Sequence, residues 1–363
     1  MDNAKIRDIA GKFDIHGEIL DVKPLGQGLI NDTFRVITPD GSPDYVLQRI
    51  NDSIFRDVEL LQHNIEAVTG HIRGKLQAAG ETDIDRKVLT LVPVKDSDKT
   101  YIVVDGQYWR MTVLIAGSVT KSEVTPESSN DTGRAFGAFE AMLADIPETL
   151  GETIPDFHNM ELRSRQLKEA VAADAAGRVS EPEVKEFLDI IAAHDEEMCK
   201  AERLHREGIL PKRICHCDAK VNNILFDEQG KVLCVIDLDT VMPSYVFSDF
   251  GDFLRTGANT VAEDDPDTDK VAFRMDIFEA FAAGYLQSAS SFLTPVEKEN
   301  LPFAALLFPY MQAVRFLTDY INGDTYYKIS YPEHNLVRTR NQIALFRSAL
   351  SHLDEMKAFV ESH

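Results

Sequence analysis

The stretch Ile214-Cys215-His216-Cys217-Asp218-Ala219-Lys220-Val221-Asn222-Asn223-Ile224-Leu225-Phe226 sets a carboxylate, an ammonium group and two amides between apolar runs. The run Ile224 to Phe226, the turn Asp227-Glu228-Gln229-Gly230 and the run Val232 to Ile236 read together as a hairpin. Its second strand ends at Asp237. A hairpin returns that residue to the open end where Asn223 begins the first strand, so a carboxylate and an amide oxygen can share one hard cation. Oxygen donors of this kind suit magnesium.

His216, Asp218 and Asn223 follow His-x-Asp-x-x-x-x-Asn, the spacing of the catalytic loop in kinase-type phosphotransferases. Phosphoryl transfer needs charge neutralisation at the phosphates, and a carboxylate that orients the attacking hydroxyl and accepts its proton. Asp218 fits the second role, and Lys220 can hold positive charge against the transferring group. Read blandly, Asp218 and Asn223 cap turns, Cys215 and Cys217 face a core and His216 is a structural histidine. The aspartate closing the hairpin weighs against that reading. So does Gly26-Gln27-Gly28-Leu29-Ile30-Asn31-Asp32-Thr33-Phe34, whose side-chain-poor backbone can approach nucleotide phosphates closely. It is no Rossmann fingerprint, since no third glycine opens a helix, and the Walker pattern is absent.

At 363 residues the chain exceeds the usual size of one hydrophobic core, so about two domains are expected. Its 60 acidic and 38 basic side chains leave a net charge of -22, which repels a polyanion and excludes nucleic acid as the expected partner. A nucleotide phosphate still binds where a metal ion and local donors outweigh that field. Cys199, Cys215, Cys217 and Cys234 lack the density of a disulfide scaffold and the Cys-x-x-Cys spacing of a zinc site, so reduced thiols are expected. The first residues are amphipathic and charged, and no uninterrupted apolar run approaches about 18 residues. The expectation is a cytoplasmic protein with no membrane partner.

Between Leu20 and Leu114 the pattern predicts short strands at Phe34 to Thr38, Tyr45 to Ile50, Val88 to Val92, Tyr101 to Val104 and Tyr108 to Leu114, the last two joined by Asp105-Gly106. One helix interrupts them, with Val58, Leu61, Ile65, Val68, Ile72 and Leu76 at three- and four-residue spacing and Gly80 as its C-terminal cap. From Pro126 onward helical periodicity dominates, around 127–144, 160–176, 182–207, 270–289, 302–322 and 335–360. The expected class is α+β: a small antiparallel sheet lobe with one helix over residues 1–115, and a larger, mainly helical lobe over 116–363.

With these residues in place, the chain resembles the aminoglycoside phosphotransferase and choline kinase superfamily, and within it the N-acetylhexosamine 1-kinases. The resemblance runs from Gly26 through Tyr45-Val46-Leu47-Gln48 and Asn51-Asp52-Ser53-Ile54-Phe55 to the C-terminal helices. Its most specific stretches are Asn222-Asn223-Ile224-Leu225, Ile236-Asp237-Leu238-Asp239-Thr240-Val241-Met242-Pro243 and Tyr331-Pro332-Glu333-His334-Asn335-Leu336-Val337-Arg338-Thr339-Arg340. It implies a bilobal protein-kinase-like fold, ATP and Mg2+, and phosphorylation of the anomeric hydroxyl of N-acetylglucosamine or N-acetylgalactosamine. It places Asp218 as base with Lys220 beside it, and Asn223 and Asp237 as metal ligands. The nucleotide falls to Gly26, Gly28, Asn31, Thr33, Gln48 and, in the Arg110 to Ile115 segment where adenine meets backbone groups, Thr112 and Leu114. The sugar falls to Asp239, Thr240, Arg315, Asp319 and Tyr326.

Gln48 stands where a kinase strand lysine would reach the phosphates, with Arg49 beside it, and alternate strand residues cannot both face the nucleotide. The literal Asp249-Phe250-Gly251 string is not the metal site, because it lies past the Met242-Pro243-Ser244 turn; Asp249 is expected to brace a loop or cap a helix. Tyr327, His334, Asn335 and Arg338 also have sugar-binding chemistry, while Arg315 and Asp319, four apart on a helix, would otherwise form an exposed ion pair. The acidic run Glu263-Asp264-Asp265-Pro266-Asp267 lacks EF-hand spacing and reads as a solvated loop. Two rival functions stand beside the sugar kinase: the same chemistry on homoserine, choline or an aminoglycoside, and a silent nucleotide-binding module. Arg315, Arg338 and Arg340 oppose a polycation, and the intact Asp218, Asn223 and Asp237 oppose silence.

Overall fold

The computed structural model describes residues 3–26 and 30–363. In chain order, α1 (Asn3–Ala10), β1 (Asp21–Pro24), β2 (Asp32–Ile37), β3 (Tyr45–Ile50), α2 (Val58–Ala78), β4 (Tyr101–Val104), β5 (Gln107–Val113) and β6 (Val119–Thr120) come first. Helices α3 (Pro126–Leu143), α4 (Met160–Ala173), α5 (Pro182–Met198) and α6 (Lys200–Arg206) follow, then β7 (Arg213–Cys215), β8 (Ile224–Phe226), β9 (Val232–Val235) and β10 (Met242–Ser244). The remainder is helical: α7 (Phe247–Gly257), α8 (Met275–Ala289), α9 (Pro295–Glu299), α10 (Leu301–Ile321), α11 (His334–Ser351) and α12 (Leu353–Ser362).

The chain divides into two compact units. One gathers Met1–Lys121, Asp145–Pro155 and Asn222–Met242; the other gathers Ser122–Ala144, Asp156–Val221 and Pro243–His363. The β8–β9 hairpin belongs to the first unit, where β6 pairs antiparallel with β8.

In the first unit, the described residues form an antiparallel sheet in the order β1-β2-β3-β5-β4. Strand alternation separates its faces. Tyr45, Leu47, Trp109 and Met111 join Ile6, Ile9, Ala10 and Phe13 of the N-terminal helix region in one buried cluster. The intervening residues Thr33, Gln48 and Arg110 sit opposite one another across three strands, as register partners. Their face is polar. Helix α2 starts where the Asp57 side chain accepts from the Leu60 amide, and it buries Leu61, Ile65, Val68, Ile72 and Leu76 as its period requires. The predicted strand at Val88 to Val92 is absent: this segment makes only an isolated bridge, Leu91 to Thr112.

The second unit is built on α10, a helix apolar enough in composition to cross a membrane but buried along nearly its whole length, as a core helix is. Helices α3 and α8 pack at backbone contact. A Cβ on Gly133 would lie 2.1 Å from the Phe281 carbonyl oxygen. The same geometry explains the glycine of Asp249-Phe250-Gly251, where a Cβ would sit 2.6 Å from the Ala304 carbonyl oxygen. That string is helical, inside α7, which the sequence reading did not anticipate.

Candidate active site

In the second unit, β7 delivers Cys215 and the chain then turns through His216 and Cys217. Cys217 takes a left-handed conformation, φ 63°, which a non-glycine residue holds only when its surroundings fix it. Asp249 supplies that fixing: its carboxylate accepts the His216 amide at 2.8 Å and the Cys217 amide at 2.6 Å. The brace is fully buried, and Glu140 and Cys215 crowd it. Burial, then the Asp249 charge, push the Glu140 carboxyl well above the usual carboxylate range, while Tyr285 donates a hydrogen bond to it. The His216 ring sits edge-on to Phe136 and Phe139, at 5.2 and 6.1 Å, and is structural.

Past this brace, Asp218 and Lys220 reach a cavity of about 340 Å³, and Lys220 Nζ lies 2.6 Å from Asp218 Oδ1. Phe157, Phe308, Phe316 and Tyr327 supply aromatic wall, and His158 stacks on Phe157 at 4.3 Å. Burial, then Arg315, hold His158 well below the usual histidine range, so it is neutral. Around this wall charge is uneven. The cavity carries three carboxylates, Asp218, Asp252 and Glu263, against five cations, Lys220, Arg255, Arg315, Lys328 and Arg338. Arg255 serves Asp252 at 3.6 Å and Glu263 at 2.8 Å. Arg315 and Arg338 form no ion pair among the described residues: Arg315 donates to Gln312 Oε1 at 3.2 Å and Arg338 to the Lys328 carbonyl at 3.2 Å. Arg338 Nε is buried without a partner.

Of Asp239, Thr240, Arg315, Asp319 and Tyr326, the structure brings Arg315 to this cavity, together with Tyr327 and Arg338 from the wider set of residues with sugar-binding chemistry. Asp319 is buried beneath the next loop, its carboxylate accepting the amides of Thr325, Tyr326 and Tyr327 at 2.9, 2.8 and 2.9 Å and the Asn335 side chain at 2.9 Å. It therefore shapes the loop that presents Tyr327. Tyr326 is 73% exposed and off the wall, and its neighbour lines the cavity. Glu263, read as part of a solvated run, faces the same cavity. Asp252, Arg255, His158 and Gln312 were not singled out from sequence; Asp252 and Arg255 lie one and two turns beyond Phe247–Ser248 on the unforeseen α7.

In the first unit, the polar sheet face meets the loop after β9. Arg110 Nε and Nη2 donate to Gln48 Oε1 at 3.0 and 2.9 Å, and Gln48 Nε2 reaches Thr33 Oγ1 at 3.3 Å. Arg110 Nη1 lies 2.5 Å from Asp239 Oδ1, each side chain 5% exposed. Asn31 donates to the other Asp239 oxygen at 2.6 Å and accepts the Asn51 amide at 2.9 Å. Asp239 is thus buried against the sheet, and Thr240 beside it is also buried. Arg49 turns to the other face and pairs with Asp32. Gly26 is exposed with φ 70°, Gly28 lies outside the described residues, and the Leu114 amide donates to the Asp44 carbonyl at 2.8 Å. Thr112 is buried beside the Val46 position.

Asn223 and Asp237 close the same hairpin, with the Ile236 amide donating to the Asn223 carbonyl at 2.9 Å. Asp237 is left-handed, φ 60° and ψ 57°. An amide oxygen and a carboxylate at one hairpin end form a donor set that fits a hard divalent cation.

A family model described as "Phosphotransferase enzyme family" matches residues 21–290. The chain belongs to this phosphotransferase family. It is similar to an aminoglycoside phosphotransferase from Alicyclobacillus acidocaldarius, at 15% identity over 98% of this chain and 96% of that one, with a TM-score of 0.63. A choline/ethanolamine kinase family protein from Mesorhizobium loti matches at 18% identity over 94% and 92%, TM-score 0.55. A spectinomycin phosphotransferase solved with ADP and spectinomycin matches at 11% identity over 100% and 99%, TM-score 0.52. This phosphotransferase shares their mixed α+β fold, with an antiparallel sheet in its N-terminal region and a mainly helical C-terminal part.

Proposed function

We propose that this phosphotransferase transfers the γ-phosphoryl group of ATP to the anomeric hydroxyl of an N-acetylhexosamine, N-acetylglucosamine or N-acetylgalactosamine. One observation carries the acceptor class: the cavity beside Asp218 holds arginines with no carboxylate partner against aromatic walls. A cationic acceptor such as choline or an aminoglycoside would meet uncompensated positive charge there, a repulsion that discriminates strongly against it. A neutral sugar offers hydroxyl and acetamide oxygens to the guanidinium donors and its C–H face to the rings. At about 340 Å³ the cavity is near the lower end of small-molecule sites, in keeping with a single ring.

In this reading Asp218 orients the acceptor hydroxyl and takes its proton as the acceptor oxygen bonds to the γ-phosphorus. The bond between that phosphorus and the β–γ bridging oxygen breaks, and ADP leaves. Lys220 holds the Asp218 carboxylate in place and adds positive charge. Mg2+, held by Asn223 and Asp237, would neutralise phosphate charge. The ADP-bound spectinomycin phosphotransferase supports the choice of nucleotide. The four free thiols support action in a reducing cytoplasm. Phosphorus NMR of the product formed from N-acetylglucosamine, with Asp218→Asn as blank, tests the assignment. An anomeric phosphate is expected; phosphate on another hydroxyl, or turnover undiminished in the variant, would refute it.

A further inference from the structure

Gln48 leaves the third strand without a cation, and Arg49 faces away. The cation beside Gln48 comes from the adjacent strand: Arg110, its register partner. Its Nε and Nη2 donate to Gln48, and its Nη1 lies 2.5 Å from Asp239 Oδ1 as a charge contact rather than a hydrogen bond. Asp239 lies two residues past Asp237, in a loop whose backbone is fixed at two further points. Thr153 donates to the Asp239 carbonyl at 2.9 Å, and Asn64 to the Val241 carbonyl at 2.9 Å. The left-handed conformation of Asp237 is strained for an L-residue and persists where such contacts over-determine it. Among these anchors the Arg110–Asp239 pair is the charged, desolvated one.

We propose that Arg110 is a positioning residue that acts through Asp239 to hold the Asp237 loop in its metal-binding conformation, without itself touching the nucleotide. This rests on Asp237 as a metal ligand. The pair thus stands in for the strand lysine by fixing the metal loop instead of contacting phosphate. Removing a group that orients a ligand of this kind lowers metal affinity by about 10- to 100-fold.

Calorimetric titration of ADP, in Mg2+ and in EDTA, separates the possibilities. In the wild-type protein Mg2+ should tighten ADP binding, and Asp237→Asn should abolish that gain. Arg110→Gln and Asp239→Asn should each remove about tenfold or more of the Mg2+-dependent gain while leaving ADP affinity in EDTA within about threefold. The double variant should be no worse than either single, because the two residues form one unit. Equal losses in Mg2+ and EDTA would mean direct phosphate contact and overturn the proposal, as would an undiminished gain or additive losses. Should either single variant fail to fold, the neutral double variant, which leaves no buried charge unpaired, carries the same comparison. A wild-type protein indifferent to Mg2+ would overturn the metal reading beneath it, whatever the acceptor.

Discussion

The polar face of the sheet and the cavity beside Asp218 use the same residue type in opposite ways. On the sheet, Arg110 donates to Gln48 and lies against the Asp239 carboxylate, which also accepts from Asn31. In the cavity, Arg315 and Arg338 have only neutral hydrogen-bond partners, with ring faces of Tyr327 and Phe316 at 5.6 and 5.3 Å. A desolvated, paired guanidinium is structural, and one left with spare donors toward a cavity is ready for a ligand. The contrast is what the two proposals rest on: one region holding a loop, the other choosing an acceptor.

The largest effect should come from Asp218→Asn, which removes the proposed base and should lower turnover about 10²- to 10⁴-fold in a coupled ADP-release assay, with ADP binding retained. Unfolding in urea tests the contrast itself. Arg110→Met strands the buried Asp239 charge and should cost about 3–5 kcal/mol, whereas Arg315→Met should cost only about 0–1 kcal/mol. Equal costs would erase the distinction between the two regions. Arg315→Met should instead appear in kinetics, raising KM for the sugar about tenfold through lost charge-assisted hydrogen bonds of about 1.5 kcal/mol.

A smaller effect belongs to Asp252, whose carboxyl is raised to about 6 by burial. Its folded value lies above its unfolded one, so the folded state binds the extra proton. Its contribution to stability is therefore fully present below about pH 4, is lost as pH rises toward 6 and is flat above. Asp252→Asn should flatten this slope, a change of about 1 kcal/mol, seen as a smaller difference in melting temperature between pH 5 and pH 8.

Much of this was legible in the chain. The periodicity of Val58 to Leu76 and the Asp105-Gly106 turn describe α2 and the β4–β5 hairpin nearly residue for residue, because local period and turn chemistry decide both. Asp249 as a loop brace followed from its place beyond the hairpin. The misses have physical causes. Val88 to Val92 is apolar enough for a strand but is used as a buried connector with a single bridge. Asp319 could be read as a cavity group, yet its carboxylate is spent on three successive amides, a choice set by loop conformation. The Arg110–Asp239 pair joins residues 129 positions apart (239 − 110), beyond any local pattern; its one trace was the lysine missing at position 48.

The most direct measurement is kcat/KM across N-acetylglucosamine, N-acetylgalactosamine, glucose, homoserine, choline and kanamycin, with Mg2+ and ATP. Turnover concentrated on the two N-acetylated sugars, with choline and kanamycin inert, is the expected result. Preferred turnover of choline or kanamycin would contradict the assignment of the unpaired arginines to a neutral acceptor.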